Sequence, residues 1–408
     1  PSRRLAGLLH ARRLLTSSPY THEGDVKSAT MFVGREALLR DLATAASPQA
    51  ILVGPRRVGK TSLLKRLAQT LRLNRPEFDV HFLDLLGIKS YEDAAVALQV
   101  AMETARFAAG AGSSSGQFSV VARAAVDGVP SENPEALIIQ LIRVRQQHTG
   151  RRVVLLIDEG DALVKTDAER DFPLLNALRA LQAQDLCAVV MAGYLYLYRQ
   201  ALSQSSPLYN FARVLLLGPL EQAEAVELST KPMALLSVRY ADPELPQRIA
   251  RDTGGYPSFV QLICDQMLSE LKADDLVLRE SHLRSAEDSQ RVYDQLVTML
   301  KMNTRRLTQI LVYALLGHDR FTAAEAHKIL QATLERSVPF SVLEQALTEL
   351  RVFSLLIAST ATGTEGAAVT TYGWGIPLLR AILRASEPEY ALAGLLEELS
   401  ESDFADPR

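Results

Sequence analysis

An α/β architecture is what the sequence predicts: a parallel sheet between two layers of helix, then a helical region and a smaller mixed domain. Two observations carry the first part. Short apolar runs alternate with helical stretches from Ala50 to Gly218, the pattern of a parallel sheet with helical crossovers. One run, "VVLLID" from Val153 to Asp158, is apolar throughout and ends in an acid, as suits a strand covered on both faces. A third observation separates the rest of the chain: the strand-like runs end at Gly218, and a hairpin-like pattern appears only much later.

Taken in order, "MFVGREALLRDL" (Met31 to Leu42) opens with a turn and enters a helix. Ala50 to Val53 is a strand, and Leu63, Leu64, Leu67 and Leu71 mark one face of the helix after it. "FDVHFLDL" (Phe78 to Leu85), "LCAVVMAG" (Leu186 to Gly193) and "ARVLLLG" (Ala212 to Gly218) are further strands, and "GAGSSSGQ" (Gly110 to Gln117) is a flexible loop by composition. Only helical patterns run from Pro219 to about Met302, a helical lid. Helices near Arg305–Leu316, Thr322–Leu330 and Ser341–Val352 then precede "FSLLIAS", a Gly/Thr-rich turn and "VTTYGW"; three helices and a hairpin describe a winged-helix domain. The expected divisions are 1–30 (a basic helix and linker), 31–218 (core), 219–302 (lid), 303–385 (winged helix) and 386–408 (tail).

Composition narrows the function classes. A formal net charge of −3 gives no global pull toward nucleic acid or anionic lipid, and no apolar stretch spans a bilayer. The two cysteines, Cys187 and Cys264, fall in apolar patterns and are expected as separate buried thiols in a reducing cytoplasm. The first fifteen residues carry Arg3, Arg4, Arg12 and Arg13 with no acid. They are read as a linker or partner-binding helix, with a transit peptide as the alternative.

The chemistry sits in "GPRRVGKTS", Gly54 to Ser62, with the spacing G-x-x-x-x-G-K-T. In such a loop the backbone N–H groups turn inward around a phosphate, and glycines permit the turn. Lys60 is placed to reach the β- and γ-phosphates, and the Thr61 hydroxyl to ligate Mg²⁺. Gly54, Pro55, Arg57, Val58, Gly59 and Ser62 complete the cradle, under which the following helix puts its positive end. Arg56 and Arg57 read first as solvated loop charges, with contact to a phosphate or a neighbouring domain as the second reading. Asp158, at the end of its strand, is the second candidate metal residue. Glu159 is the candidate base for an attacking water; Asp161 is close enough to be a rival, but reads first as a loop carboxylate. Together these make a P-loop NTPase, a three-layer sandwich that binds ATP or ADP with Mg²⁺.

Further residues extend the reading to a family. "SPYTHEGDVKSATMFVGRE", the phosphate loop, "VVLLIDEGD", "GGYPSFVQL" and "YGWGIPLLRAIL" follow one another as in prokaryotic STAND-type ATPases. These are AAA+-related signalling enzymes akin to archaeal and origin-recognition ATPases, and the chain resembles them from about Ser18 to Leu383. The resemblance implies that Phe32, Val33, Gly34 and Arg35 lie along adenine and ribose, and that Pro257 of a G-x-P element closes over the base; Tyr256 beside it reads as a stacking residue or, at least as readily, as a core aromatic. Arg213 is a candidate arginine finger toward a neighbouring protomer, or else a plain strand-edge arginine.

Two departures favour a switch over a motor. The strand after the acid strand ends "MAGY" where motors carry a polar sensor, and "GGYPSFVQL" lacks a sensor arginine. The expectation is therefore slow hydrolysis, and ATP-dependent self-association or an effector protein as partner. An AAA+ motor and a DNA-binding regulator are the alternatives. "SVLEQALTELRVF", the recognition-helix position, holds Glu344 and Glu349 against Arg351 alone, and the wing turn holds Glu365 without a basic residue. Nucleic acid is accordingly not expected as a partner.

Overall fold

The computed structural model describes residues 18–20, 31–104, 133–272, 275–362 and 368–404. The basic N-terminal stretch, the Gly110–Gln117 loop and the wing turn around Glu365 lie outside them. The chain forms two compact units. The first comprises Arg35–Gly54 and Lys60–Leu217. The second comprises the chain from Gly218 onward, with Pro55–Gly59 and the described residues up to Gly34.

The first unit alternates helix and strand: α1 (Glu36–Thr44), β1 (Ala50–Val53), α2 (Lys60–Asn74), β2 (Phe78–Asp84), α3 (Tyr91–Thr104), α4 (Pro134–Thr149), β3 (Arg152–Asp158), α5 (Gly160–Ala168), α6 (Pro173–Ala183), β4 (Cys187–Gly193), α7 (Leu195–Leu202) and β5 (Arg213–Leu216). All five strands are parallel, in the order β2-β3-β4-β1-β5. Central β3 and β4 are buried almost end to end, which is why their sequences are unbroken apolar runs. Helix α2 turns Leu63, Leu64, Leu67 and Leu71 inward and lies against β2, β3 and β4. Local signals also set ends: Asn133 caps α4 by accepting from the Ala136 N–H at 3.0 Å, and left-handed Gly150 stops that helix.

The second unit begins with α8 (Gln222–Leu235), β6 (Arg239–Tyr240), α9 (Glu244–Asp252), α10 (Pro257–Ser269), β7 (Val277–Leu278), α11 (Glu280–Glu287) and α12 (Gln290–Asn303). Its remainder is α13 (Arg306–Ala314), β8 (Arg320–Thr322), α14 (Ala323–Leu334), α15 (Phe340–Val352), β9 (Leu356–Thr362), β10 (Ala368–Trp374), α16 (Pro377–Ala385) and α17 (Pro388–Glu397). Strand β10 pairs antiparallel with both β8 and β9. The pairs β6–β7 and β10–β8 involve strands of two or three residues, too short for periodicity to reveal. The segment after Ala385, expected as a tail, contains α17.

Cys187 and Cys264 are buried free thiols, as expected, and burial pushes both up to about 12. Among the described residues no helix is long and apolar enough to cross a membrane.

One buried ion pair ties α4 to the edge of the sheet. Arg145 Nε bonds to Asp79 Oδ2, its Nη2 reaches Oδ1 at 3.2 Å, and Nη1 donates to the Met102 carbonyl. His81 Nε2 stands 3.2 Å from the same carboxylate. Burial pushes the Asp79 carboxyl up, but His81 and Arg145 outweigh it and hold the group well below the usual carboxylate range. A depressed carboxylate stabilises the fold above its unfolded value and loses that contribution as pH falls. Asp79→Asn should cost about 3 kcal/mol by leaving Arg145 buried without its counter-charge. Urea melts of both proteins test this: the gap should be full near neutral pH and narrow below about pH 4.

Candidate phosphate-binding site

Register decides what meets at the sheet's C-terminal edge. Val53 of β1 pairs with Gly193 of β4, and Ile157 of β3 with Met191 of β4, so the three strands end almost level. The residues that leave those ends are Gly54, Tyr194 and Glu159. Strand β4 lies between the other two, so Tyr194 emerges between the phosphate-loop strand and the acid strand.

Lys60, the first residue of α2, is buried, and its Nζ donates to the Gly54 carbonyl at 2.8 Å. The Thr61 hydroxyl donates to Asp158 Oδ2 at 2.5 Å, while Asp158 Oδ1 accepts the Glu159 N–H at 3.1 Å. Burial raises the Asp158 carboxyl above its ordinary value against the pull of Thr61 and that N–H. Glu159 is left-handed (φ 54°, ψ 40°), a conformation that costs a non-glycine residue about 1 kcal/mol or more and so marks a constrained position. Its carboxylate Oε1 accepts the Tyr194 hydroxyl at 2.5 Å, and the Lys60 ammonium lies 3.9 Å from the centre of the Tyr194 ring.

These residues suit a magnesium nucleotide. Gly59 has φ 101°, open to glycine and strained for any side chain, and a Cβ there meets nothing within 4 Å, so open space adjoins the loop at this glycine. A hydroxyl and a carboxylate in mutual contact, Thr61 and Asp158, are hard oxygen donors of the kind Mg²⁺ takes. Of the other loop residues, Pro55 and Val58 are buried, Ser62 is half-buried, and Arg57 is exposed with φ 64°.

A family profile for the ATPase domain found predominantly in Archaea matches residues 32–263, more than half of the chain. The chain belongs to that family. It is therefore a P-loop ATPase with a parallel α/β core, and the family implies nucleotide binding, ordinarily with Mg²⁺. No curated protein matches it significantly. Among solved structures it is similar to a Walker-type ATPase of Pyrococcus abyssi, at 16% identity over 86% of this chain and 96% of that one, TM-score 0.56. It is also similar to the Aeropyrum pernix ORC2 protein, solved as ADPNP–ADP complexes: 13% identity over 91% and 98%, TM-score 0.53. At these identities the likeness is one of fold.

One expectation is corrected here. The Aeropyrum pernix ORC1 protein, solved in complex with DNA, also matches (14% identity over 88% and 94%, TM-score 0.45), so nucleic acid does not stand excluded. The charge count on one helix was also a poor guide. Glu349, counted there as repelling phosphate, is buried and accepts from Arg305 and Thr308. Basic residues the count left out, Arg320, Arg380 and Arg384, line a cleft of about 480 Å³ beside Trp374.

Other candidates in this ATPase separate on geometry. Asp161 is bound to backbone rather than turned to the loop strand. It is buried, with Oδ2 accepting the Tyr194 N–H at 2.6 Å and Oδ1 the Leu197 N–H at 3.0 Å, which spends its carboxylate on the start of α7. Arg213 begins β5 opposite Ala50, the first residue of β1, and bonds to Asp41; it is not gathered with the phosphate residues of its own chain. Tyr256, a candidate for stacking on the base, is fully buried. Its hydroxyl donates to the Phe353 carbonyl and its ring lies 5.5 Å from Phe259, so it belongs to the core. The glycines before it allow close packing: a Cβ on Gly254 or Gly255 would strike the carbonyl of Gly375 or Leu220. Pro257 is half-buried at the first turn of α10. Phe32 is half-buried and Val33 buried, and Gly34 and Arg35 turn left-handed into α1.

Sequence reasoning passed over Tyr194, taking "MAGY" as a missing sensor. The signal available was position: the first residue after the strand that separates the loop strand from the acid strand.

Lys60→Ala should weaken ATP and ADP binding together by about tenfold or more, the loss of one charge-assisted contact. Asp158→Asn should retain metal-free binding and lose the Mg²⁺ enhancement. Calorimetry with and without Mg²⁺ checks both, and unchanged affinity in Lys60→Ala would remove the loop from the site.

Proposed function

We propose that this ATPase is a nucleotide-gated switch of the STAND type, which hydrolyses ATP slowly and changes conformation or assembly with the nucleotide it holds. The observation that carries the reading lies in the phosphate loop itself. The Arg56 N–H is bonded by Asn303 Oδ1 at 3.2 Å, and Asn303 ends α12, donating through Nδ2 to Met299 O at 2.8 Å. Two residues on, the Arg305 N–H donates to Glu349 at 2.7 Å, and the Thr308 hydroxyl does so at 2.9 Å. A loop that changes its backbone to surround a phosphate therefore pulls on the joint between the helices after Gly218, read as a lid, and the last mixed domain, read as a winged helix.

In this reading Lys60 meets the β- and γ-phosphates, Thr61 and Asp158 hold Mg²⁺, and Glu159 takes a proton from the attacking water. Phe32, Val33, Gly34 and Arg35 line the nucleoside, and Pro257 offers a rigid apolar face to the base. Arg213, exposed at the strand edge, serves a neighbouring protomer. Mg²⁺ when bound offsets phosphate charge. A ligand shifts a two-state equilibrium only by its difference in affinity for the two states, and full reversal takes about 5.5 kcal/mol. The γ-phosphate distinguishes ATP from ADP, so its contacts must supply that difference. Signalling in prokaryotic defence or stress is the setting the STAND reading suggests.

Light scattering after size exclusion tests the switch. ADP should give a compact monomer, and a non-hydrolysable ATP analogue with the physiological trigger a larger assembly. Asn303→Ala should bind nucleotide normally and lose most of that response. Glu159→Gln should abolish hydrolysis and keep binding. A constitutive ring with rapid turnover would overturn the switch in favour of a motor.

A further inference from the structure

We propose that Tyr194 is a positioning residue that latches the site at rest and is released by the γ-phosphate. The inference rests on the base assignment of Glu159 above. Glu159 leaves β3 and Lys60 begins α2, and the strand between β3 and β1 ends where Tyr194 begins. Tyr194 engages both charges at once. Its hydroxyl donates to Glu159 Oε1 at 2.5 Å, and its ring face lies 3.9 Å from the Lys60 ammonium. A ring face attracts a cation, and a phenol donates well to a carboxylate, so one side chain bridges the two groups that act on the γ-phosphate and the water.

The bridge is anchored from behind. Asp161 accepts the Tyr194 N–H at 2.6 Å and the Leu197 N–H at 3.0 Å, which fixes the start of α7 and the point from which the tyrosine projects. The same carboxylate that is lost to catalysis thus positions the latch. A general base needs an oxygen turned to the water, and the bond from Tyr194 to Oε1 holds the Glu159 carboxylate in one orientation, so turning it to the water costs that bond. The γ-phosphate of ATP brings anionic oxygens that compete for the Lys60 ammonium and for the phenol donor; ADP does not bring them. ATP therefore loosens the latch and frees Glu159, and ADP leaves it closed. This gives the switch a way to read the third phosphate without a sensor asparagine or arginine, and it fits slow basal chemistry.

The test is single-turnover hydrolysis alongside ATP affinity in the full chain, for wild type, Glu159→Gln, Tyr194→Phe and the double variant. Tyr194→Phe keeps the ring on Lys60 and removes only the hydroxyl. The rate should rise up to about tenfold, the worth of one hydrogen bond to a charged group, and ATP affinity should rise with it while ADP affinity changes by less than about twofold, since only the γ-phosphate has to break that bond. Hydrolysis is absent in the Glu159→Gln background whatever stands at 194, so the discriminating readout is the preference for ATP over ADP, which rises in Tyr194→Phe if the γ-phosphate has to break the hydroxyl's bond and does not move if the tyrosine is merely structural. Tyr194→Leu removes the same hydroxyl through a different side chain and should show the same rise, so a folding defect in one variant leaves the other to report. An unchanged or lower rate in Tyr194→Phe, while Glu159→Gln is inactive, overturns the latch alone. Equal hydrolysis by wild type and Glu159→Gln overturns the base assignment and the latch with it.

Discussion

The level ends of β1, β4 and β3 are the constraint on which the phosphate site depends. Parallel pairing in register brings Val53 beside Gly193 and Ile157 beside Met191, so the chain leaves all three strands at one height. Lysine, tyrosine and acid side chains from segments far apart in the sequence then fall within hydrogen-bonding or ring-contact range. A one-residue slip of β4 would turn its apolar side chains about and carry Tyr194 away from both partners. The continuous burial of β3 and β4 is what prevents that slip, since any shift would cost packing on both faces.

Polar groups with little solvent access do the rest of the positioning, each with a defined partner. Asp161 fixes the start of α7, Asp167 accepts the Leu174 and Leu175 N–H groups at the start of α6, and Asp79 holds Arg145. In the second unit Glu349 gathers Arg305 and Thr308, and Asn303 reaches the phosphate loop. Such groups give up favourable hydration and are stable only because their bonds are made, so they hold geometry more firmly than apolar contacts of the same size.

Much of this was legible from composition and spacing. The strands of the first unit lie within a residue or two of their expected positions, and Gly59, Lys60, Thr61, Asp158 and Glu159 occupy the loop, helix start and strand end that their pattern implied. The parts that were not legible share a cause. Tyr256 beside a proline and Asp161 beside the strand-end acids read equally as ligand groups or as plain core and loop residues. Their role depends on which backbone groups from distant segments surround them, Phe353 in one case and Tyr194 in the other. Glu349 likewise looks like a surface acid in a helix, and only Arg305 and Thr308 folding over it make it a buried hub.

Local chemistry by itself determined that the chain carries a phosphate loop, a buried parallel sheet and an acid at the end of a strand. Glycine spacing, apolar runs and capping residues act over a few positions and are complete within them. Tertiary structure decided which side chains meet. Strand order places β4 between the loop and the acid, and that order is set by long-range packing that leaves no mark on any short stretch of sequence. The tyrosine at the end of "MAGY" reads as an absent sensor in one dimension. In three it bridges the lysine of the loop and the acid that follows β3.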